Sequence, residues 1–207
     1  MLAYVFWHRP SNPAATGPYE DALVAFHRSL ARSLPVGTKA SASFRVAELP
    51  WLEPVLDAQE DPGGGHPSGG YEDWYLVEDF SALGVLNEAA VGRGHVSPHD
   101  DIAHRYGAGA GALYGLIEGE PCADALGAAT TAVWVARPVG SKRRALDGLL
   151  GDGMDPAKAS LWRRQLVFGP GPEFCLLAAE VPSGVAPTRL PEGWSATVLA
   201  REVLWNG

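Results

Sequence analysis

The side chains best suited to chemistry lie in segments with the alternating pattern of β-strands. Cations buried on such strands are costly unless they pair with acids or face water or a ligand. We therefore expect a pocket for an acidic or aromatic small molecule, with tryptophans as its walls. The predicted ligand-binding residues are Trp7, Arg9, Arg45, Trp74, Arg137, Trp162 and Arg164.

Ion pairing is the other interpretation of the same cations, to which Arg163 also belongs. Acidic residues on or beside these strands outnumber the cations, and exposed pairs of this kind contribute little to stability. The candidate acidic partners are Glu48, Glu72, Glu78, Asp79 and Glu180. Both interpretations remain open at the level of the sequence.

His8 is the predicted catalytic residue, because histidine exchanges a proton near neutral pH. The segment Ala3 to Arg9 alternates Tyr4, Phe6 and His8 on one face with Val5, Trp7 and Arg9 on the other. His8 can act only if its face of the strand borders the pocket. His27, beside the apolar stripe of a predicted helix, is interpreted as a boundary residue.

A cluster of imidazoles and carboxylates at HVSPHDDIAH is the alternative site, and it would bind a metal ion. His95, His99 and His104 are the possible imidazole ligands, and Asp100 lies four residues before His104, on the same helical face. A capped helix start explains the same residues. We predict no cofactor, and a metal ion here or a haem is the alternative.

Several function classes are disfavoured by composition and motif. The net charge of -8, without a basic run, argues against binding to duplex nucleic acid. No apolar stretch reaches the ~20 residues of a membrane helix, and the first residues do not form a secretory signal, so we expect a cytoplasmic protein. The glycine-rich run Gly107 to Gly115 precedes a strand, where a phosphate loop would follow one.

The elements that must position these residues follow from their periodicity. Alternation predicts strands and a 3.6-residue period predicts helices. A loop rich in Gly, Pro and Asp is predicted from Pro54 to Gly70. The predicted strands are 3–9, 40–49, 71–79, 111–119, 132–137, 160–168, 173–181 and 195–205, with helices at 19–33, after a Ser81 cap, near 100–106 and at 142–150.

A weak repeat organises these elements. The strand that opens at Tyr71 recurs in shorter form at Pro172 to Val181, and the closing Arg-Pro of YVFWHRP recurs in AVWVARP. We therefore predict an α+β fold of two ferredoxin-like (split βαβ) units whose antiparallel sheets pack face to face. The units are 1–120 and 131–207 of a single compact domain, and the second lacks one helix.

Two split βαβ units that share this Arg-Pro strand ending resemble the dimeric α/β-barrel superfamily in its tandem form. The resemblance implies a small-molecule ligand, helices outside a barrel-like interior, and a homodimer as one arrangement. It implies a cofactor-free oxygenase or an isomerase as the enzyme class, and the superfamily also includes haem enzymes. The alternative is a non-catalytic interaction module that uses its sheet edges or the loop at 54–70.

Overall fold

The computed structural model describes residues 1–52, 69–93, 96–121, 123–141, 146, 159–165, 171–181 and 190–207. Residues 54–68 of the predicted loop, most of the predicted helix 142–150, and His95 lie outside the described residues.

Eight strands and four α-helices make up the described structure. The strands are β1 (Leu2–Pro10), β2 (Thr38–Val46), β3 (Gly70–Val77), β4 (Tyr106–Glu118), β5 (Thr131–Ala136), β6 (Ala159–Arg164), β7 (Phe174–Ala178) and β8 (Ser195–Asn206). The helices are α1 (Thr16–Arg32), α2 (Phe80–Asn87), α3 (Val96–Ala103) and α4 (Ala123–Ala128), with a 3-10 turn at Pro13–Ala15 and a π-helical segment at Glu88–Arg93. No helix in this part of the chain is both long and apolar enough to cross a membrane.

The strands form one closed antiparallel barrel in the order β1-β3-β2-β8-β5-β7-β6-β4, with β4 paired back to β1. The prediction of two ferredoxin-like units with sheets packed face to face is therefore wrong. The prediction left the edge strands of each sheet open, but these strands pair across the two halves of the chain. Arg45 of β2 lies opposite Glu202 of β8, and Tyr114 of β4 lies opposite Arg164 of β6. Closure satisfies backbone groups that open edges would expose. The tandem-repeat interpretation is likewise not supported by this topology.

Large aromatic side chains fill the barrel interior. Trp7 contacts Trp134 edge to face, with ring centroids 5.2 Å apart, and Trp74 contacts Trp162 in the same way at 5.5 Å. All four indoles are 0% exposed. The interior is therefore a packed core, as expected where inward side chains of eight strands meet.

One ion pair is enclosed in this core. Arg201 Nε lies 3.3 Å from Glu72 Oε1, and Trp74 Nε1 donates to the same oxygen at 2.8 Å. Trp7 Nε1 donates to Glu72 Oε2 at 3.0 Å, and the Arg201 guanidinium lies 3.3 Å from the centre of the Phe44 ring. Indole donors and an aromatic face thus replace part of the water that both charges lose on burial, and Arg201 Nη2 has no hydrogen-bond partner among the described residues.

Helices α1, α2 and α3 contribute to the outside of the barrel at β1, β3 and β4. The buried face of α1 carries Tyr19, Leu23, Phe26, His27 and Leu30. Helix α2 begins after Asp79, whose Oδ1 accepts from the Ala82 amide at 2.9 Å, so Asp79 caps it and the predicted Ser81 cap is wrong. These helices and strands enclose the cavity described next.

Candidate functional site

A cavity of about 730 Å³ lies between the outer face of the barrel and its helices. Its volume is that of a small-molecule site, and most of its wall is apolar or aromatic. The aromatic lining residues are Tyr4, Phe6, Tyr19, Phe26, Tyr75, Phe80 and Tyr106. The even-numbered positions of β1 supply one wall, because the odd-numbered positions point into the barrel core.

Glycines of β4 make room for this aromatic wall. A Cβ on Gly111 would overlap the Tyr4 ring, and one on Gly109 would press on the Tyr106 hydroxyl and on His8 Cβ. The glycine-rich run that looked like a phosphate loop is therefore a strand on which tyrosine rings can lie close to the backbone.

His8 lines the cavity and is almost fully buried, with both ring nitrogens engaged. Nδ1 is 2.5 Å from Tyr19 Oη, and Nε2 is 3.1 Å from Asp73 Oδ2. The imidazole stacks on Phe6 at 5.0 Å and on Tyr71 at 5.5 Å between ring centroids. Phe6 lies two positions before His8 on β1, Tyr71 and Asp73 come from the paired strand β3, and Tyr19 comes from α1. The ring is held in one orientation.

Asp73 supplies the negative charge of this network. Burial raises the pKa of the Asp73 carboxyl, but nearby His8 and His27 lower it more, so the pKa lies well below its usual range. An ionised carboxylate only accepts hydrogen bonds, so His8 Nε2 donates to Asp73 and His8 Nδ1 accepts from the Tyr19 hydroxyl. This is the histidine tautomer that a general base requires.

The tyrosines around His8 are neutral donors. Burial, the largest cause, raises the pKa of Tyr19 and Tyr75, and the Asp73 carboxylate raises both further. Burial likewise raises the pKa of Tyr4 and Tyr106. Their hydroxyls therefore keep their protons at neutral pH, and Asp73 provides the only carboxylate among the described lining residues.

A second imidazole shares Asp73. His27 Nε2 lies 3.5 Å from Asp73 Oδ2, and its Nδ1 lies 2.9 Å from Ser41 Oγ. The ring stacks on Tyr75 at 5.2 Å, and the Tyr75 hydroxyl donates to Asp73 Oδ2 at 3.3 Å. Asp73 Oδ1 has no hydrogen-bond partner among the described residues.

The predicted tryptophans lie away from this cavity. Trp7, Trp74 and Trp162 point into the barrel core, where Trp162 Nε1 also donates to Ser160 Oγ at 2.9 Å. Of the residues predicted for catalysis or ligand binding, His8 lines the cavity.

The predicted arginines are held by other groups. Arg45 pairs with Glu20 at 2.7 Å and Glu202 at 2.5 Å. Arg137 and Arg163 both pair with Glu173, at 2.6 and 3.1 Å. Arg9 donates to the Gly69 carbonyl at 3.0 Å, and Arg164 donates to the Gly171 carbonyl. No arginine or lysine occurs among the described lining residues.

Three residues of the site were not singled out from the sequence: Tyr19, Asp73 and Tyr75. Asp73 and Tyr75 lie on one face of the predicted strand, and a carboxylate on a buried face is the signal that could have identified Asp73. Tyr19 and His27 both lie on α1, and no periodicity relates either of them to His8. Only the packing of α1 on β1 and β3 brings them together.

The predicted metal cluster is only partly within the described structure. His104 Nδ1 lies 2.6 Å from the Asp100 carbonyl, and His99 Nδ1 lies 3.5 Å from Asp100 Oδ1. Among the described residues, no three His, Cys, Asp or Glu side chains are grouped to hold a metal ion. For a haem iron, His8 offers no free nitrogen, because Tyr19 and Asp73 engage both.

Comparisons with known proteins find similarity in fold. No protein-family model and no curated protein matches the chain. A candidate monooxygenase of Fusobacterium nucleatum superimposes with a TM-score of 0.58 at 11% identity, covering 99% of this chain and 93% of its own. A candidate monooxygenase of Lactobacillus acidophilus gives 0.50 at 8%, covering 97% and 93%. An anthrone oxidase-like protein gives 0.48 at 10%, covering 98% and 93%.

Proposed function

We propose that this protein is an enzyme that binds an uncharged aromatic small molecule in the cavity and removes a proton from it with His8. The observation that carries the proposal is the placement of His8 in the wall of an aromatic cavity, between Tyr19 Oη and the Asp73 carboxylate. A histidine held in this way is oriented for general-base catalysis, which typically contributes ~10² to 10⁴ in rate.

The charge of the cavity selects the substrate class. Its described lining has one carboxylate and no lysine or arginine, so no permanent positive charge is present there to pair with an anionic ligand. Aromatic rings favour a planar aromatic ligand through offset or edge-to-face contacts. Of the acidic and aromatic ligands expected from the sequence, the aromatic one fits this cavity.

The chemistry begins with loss of a proton from a carbon that a carbonyl and an aromatic ring acidify. The proton passes to His8 Nδ1 through the Tyr19 hydroxyl, which gives its own proton to Nδ1 and takes up the substrate proton, and Asp73 stabilises the imidazolium. The remaining carbanion then has two fates. Reprotonation at another atom gives an isomerase.

Reaction with O₂ gives a cofactor-free oxygenase. The carbanion reduces O₂ and bonds to it, and the proton held on His8 completes a hydroperoxide. Loss of water from that hydroperoxide, with the second C–H proton, leaves a ketone, so a methylene group and O₂ become a carbonyl group and water. The fold shared with two candidate monooxygenases supports this branch and membership of the dimeric α/β-barrel superfamily.

The test is oxygen uptake with a matched set of ligands. A tricyclic aromatic ketone with an acidic methylene group serves as the substrate probe, and its carboxylate derivative serves as the anionic control. We expect uptake of one O₂ per ketone formed and weaker binding of the carboxylate. A protein that binds neither compound and consumes no O₂ would instead support the non-catalytic interaction module.

A further inference from the structure

Two imidazoles from different elements compete for one carboxylate oxygen. Asp73 Oδ2 lies 3.1 Å from His8 Nε2 of β1 and 3.5 Å from His27 Nε2 of α1. It also accepts from the Tyr75 hydroxyl at 3.3 Å. Hydrogen bonds to a single oxygen weaken one another as acceptor charge is shared, so the strength of the His8 bond depends on the presence of His27.

The two imidazoles differ in their access to the cavity. His8 lines it, whereas His27 is 0% exposed and is not among the lining residues. His27 instead has Ser41 Oγ at its Nδ1 and the Tyr75 ring against its face. A bound molecule can therefore meet His8 directly, and His27 can act on it only through Asp73.

One assignment of protons satisfies both rings. With Asp73 ionised, His8 Nε2–H donates to the carboxylate and His8 Nδ1 accepts from the Tyr19 hydroxyl. His27 Nε2–H is shared between Asp73 Oδ2, at 3.5 Å, and the Tyr75 oxygen, at 3.4 Å, and His27 Nδ1 accepts from the Ser41 hydroxyl. A proton that arrives at His8 Nδ1 converts His8 to an imidazolium. The counter-ion of this imidazolium is Asp73, which His27 already contacts.

We propose that His27 is a positioning residue, which fixes Asp73 against His8 and limits the support that this carboxylate gives to a proton on His8. The inference rests on the proposed function, which assigns His8 as the base. His27 thereby acts on the base only through Asp73, without touching the substrate.

His99 of α3 also lines the cavity, and the Phe26 ring contacts both His99, at 6.0 Å, and His27, at 5.6 Å between ring centroids. The tyrosine hydroxyls that face this cluster do not change charge in the relevant range. They are Tyr19 from α1, Tyr71 and Tyr75 from β3, Tyr4 from β1 and Tyr106 from β4. Burial raises the pKa of each of these hydroxyls. Glu20 bonds to Tyr71 and to Arg45, on the far side of the Tyr71 ring.

The first test needs no catalytic activity. In protein labelled with ¹⁵N-histidine, the Nε2–H proton of His8 is assigned by its loss in His8→Gln. In His27→Gln the NMR signal of this proton is expected to move downfield, because Asp73 Oδ2 then accepts from a single imidazole and the hydrogen bond from His8 is stronger. Ser41→Ala, which loosens His27 without removing it, is expected to give a smaller shift in the same direction.

His104→Gln is the matched control, since His104 is exposed and bonds to the Asp100 carbonyl. An unmoved His8 signal in folded His27→Gln and Ser41→Ala overturns the inference. A moved signal in a protein that neither accelerates deuterium exchange at the methylene group nor consumes O₂ overturns the proposed function and leaves the coupling of the imidazoles standing.

The second readout is the pH dependence of kcat/KM with the tricyclic ketone. In His27→Gln the acid limb is expected to move to higher pH, because Asp73 supports the His8 proton more strongly, while KM stays unchanged. A variant in which KM rises and the acid limb stays in place would assign His27 a merely structural role and overturn the inference.

Discussion

Glu72 and Asp73 are neighbours on β3, yet their carboxylates lie on opposite sides of the barrel wall. Glu72 points into the core and pairs with Arg201, and Asp73 points outward to His8. Both are almost fully buried, at 0% and 2% exposure. The alternation of a strand thus separates a charge that stabilises the core from one that serves the site.

Removal of the Glu72 charge should lower stability strongly. Glu72→Gln leaves Arg201 charged inside the core, which typically costs ~3–5 kcal/mol. Urea unfolding followed by tryptophan fluorescence measures the free energy. The double variant Glu72→Gln with Arg201→Met should recover much of the loss, and a single variant as stable as the wild type would contradict the enclosed ion pair.

The exposed pair of Lys39 and Glu78 provides the control for that experiment. Lys39→Ala should change stability by less than ~1 kcal/mol, because water screens both charges.

Because of Asp73, the free energy of unfolding should depend on pH in the acidic range. Its pKa is lowered in the folded protein, so its stabilisation is complete above the unfolded value of ~3.9 and is lost as pH falls through the folded pKa. Each unit of that depression is worth ~1.4 kcal/mol. The stability gap between wild type and Asp73→Asn should therefore narrow as the pH falls below about pH 4. A constant gap down to pH 2 would contradict this assignment.

Loss of the Tyr19 hydroxyl should lower kcat more than loss of the Tyr71 hydroxyl. Tyr19→Phe removes the donor to His8 Nδ1, and we expect kcat to fall by about tenfold, the effect of one lost hydrogen bond. Tyr71→Phe keeps the ring stacked on His8 and removes a hydroxyl that bonds Glu20. Steady-state kinetics compare the two, and equal losses would argue against the Tyr19 contact.

Filling the cavity should block the ligand without harming the fold. Gly84 lies on α2, lines the cavity, and has open space where a Cβ would lie. Gly84→Leu should therefore weaken ligand binding at least about tenfold, while better helix propensity adds up to ~1 kcal/mol of stability. Isothermal titration with the tricyclic ketone measures the affinity.

Gly17 is the matched glycine for this comparison. It lies on α1 with equal open space and is not a lining residue. Gly17→Leu should leave affinity unchanged, and an equal loss in both variants would place the ligand elsewhere.

The sequence predicts the strands of the site better than its location. Alternation in β1 and β3 separates the face of His8 and Asp73 from the face of Trp7 and Trp74. Alternation does not say which face is covered by helices, so the tryptophans were expected to line the ligand pocket. Barrel closure was missed for a related reason: the pairing of β2 with β8 joins residues more than 150 positions apart, which no local pattern encodes.

The central claim is that His8 removes a proton from an aromatic substrate, and proton exchange tests it without O₂. Under anaerobic conditions in D₂O, wild-type protein should accelerate deuterium uptake at the acidic methylene of the tricyclic ketone, measured by NMR. His8→Gln should reduce that acceleration at least ~100-fold, and His104→Gln should preserve it. Equal exchange rates with wild type and folded His8→Gln would contradict the proposed role of His8.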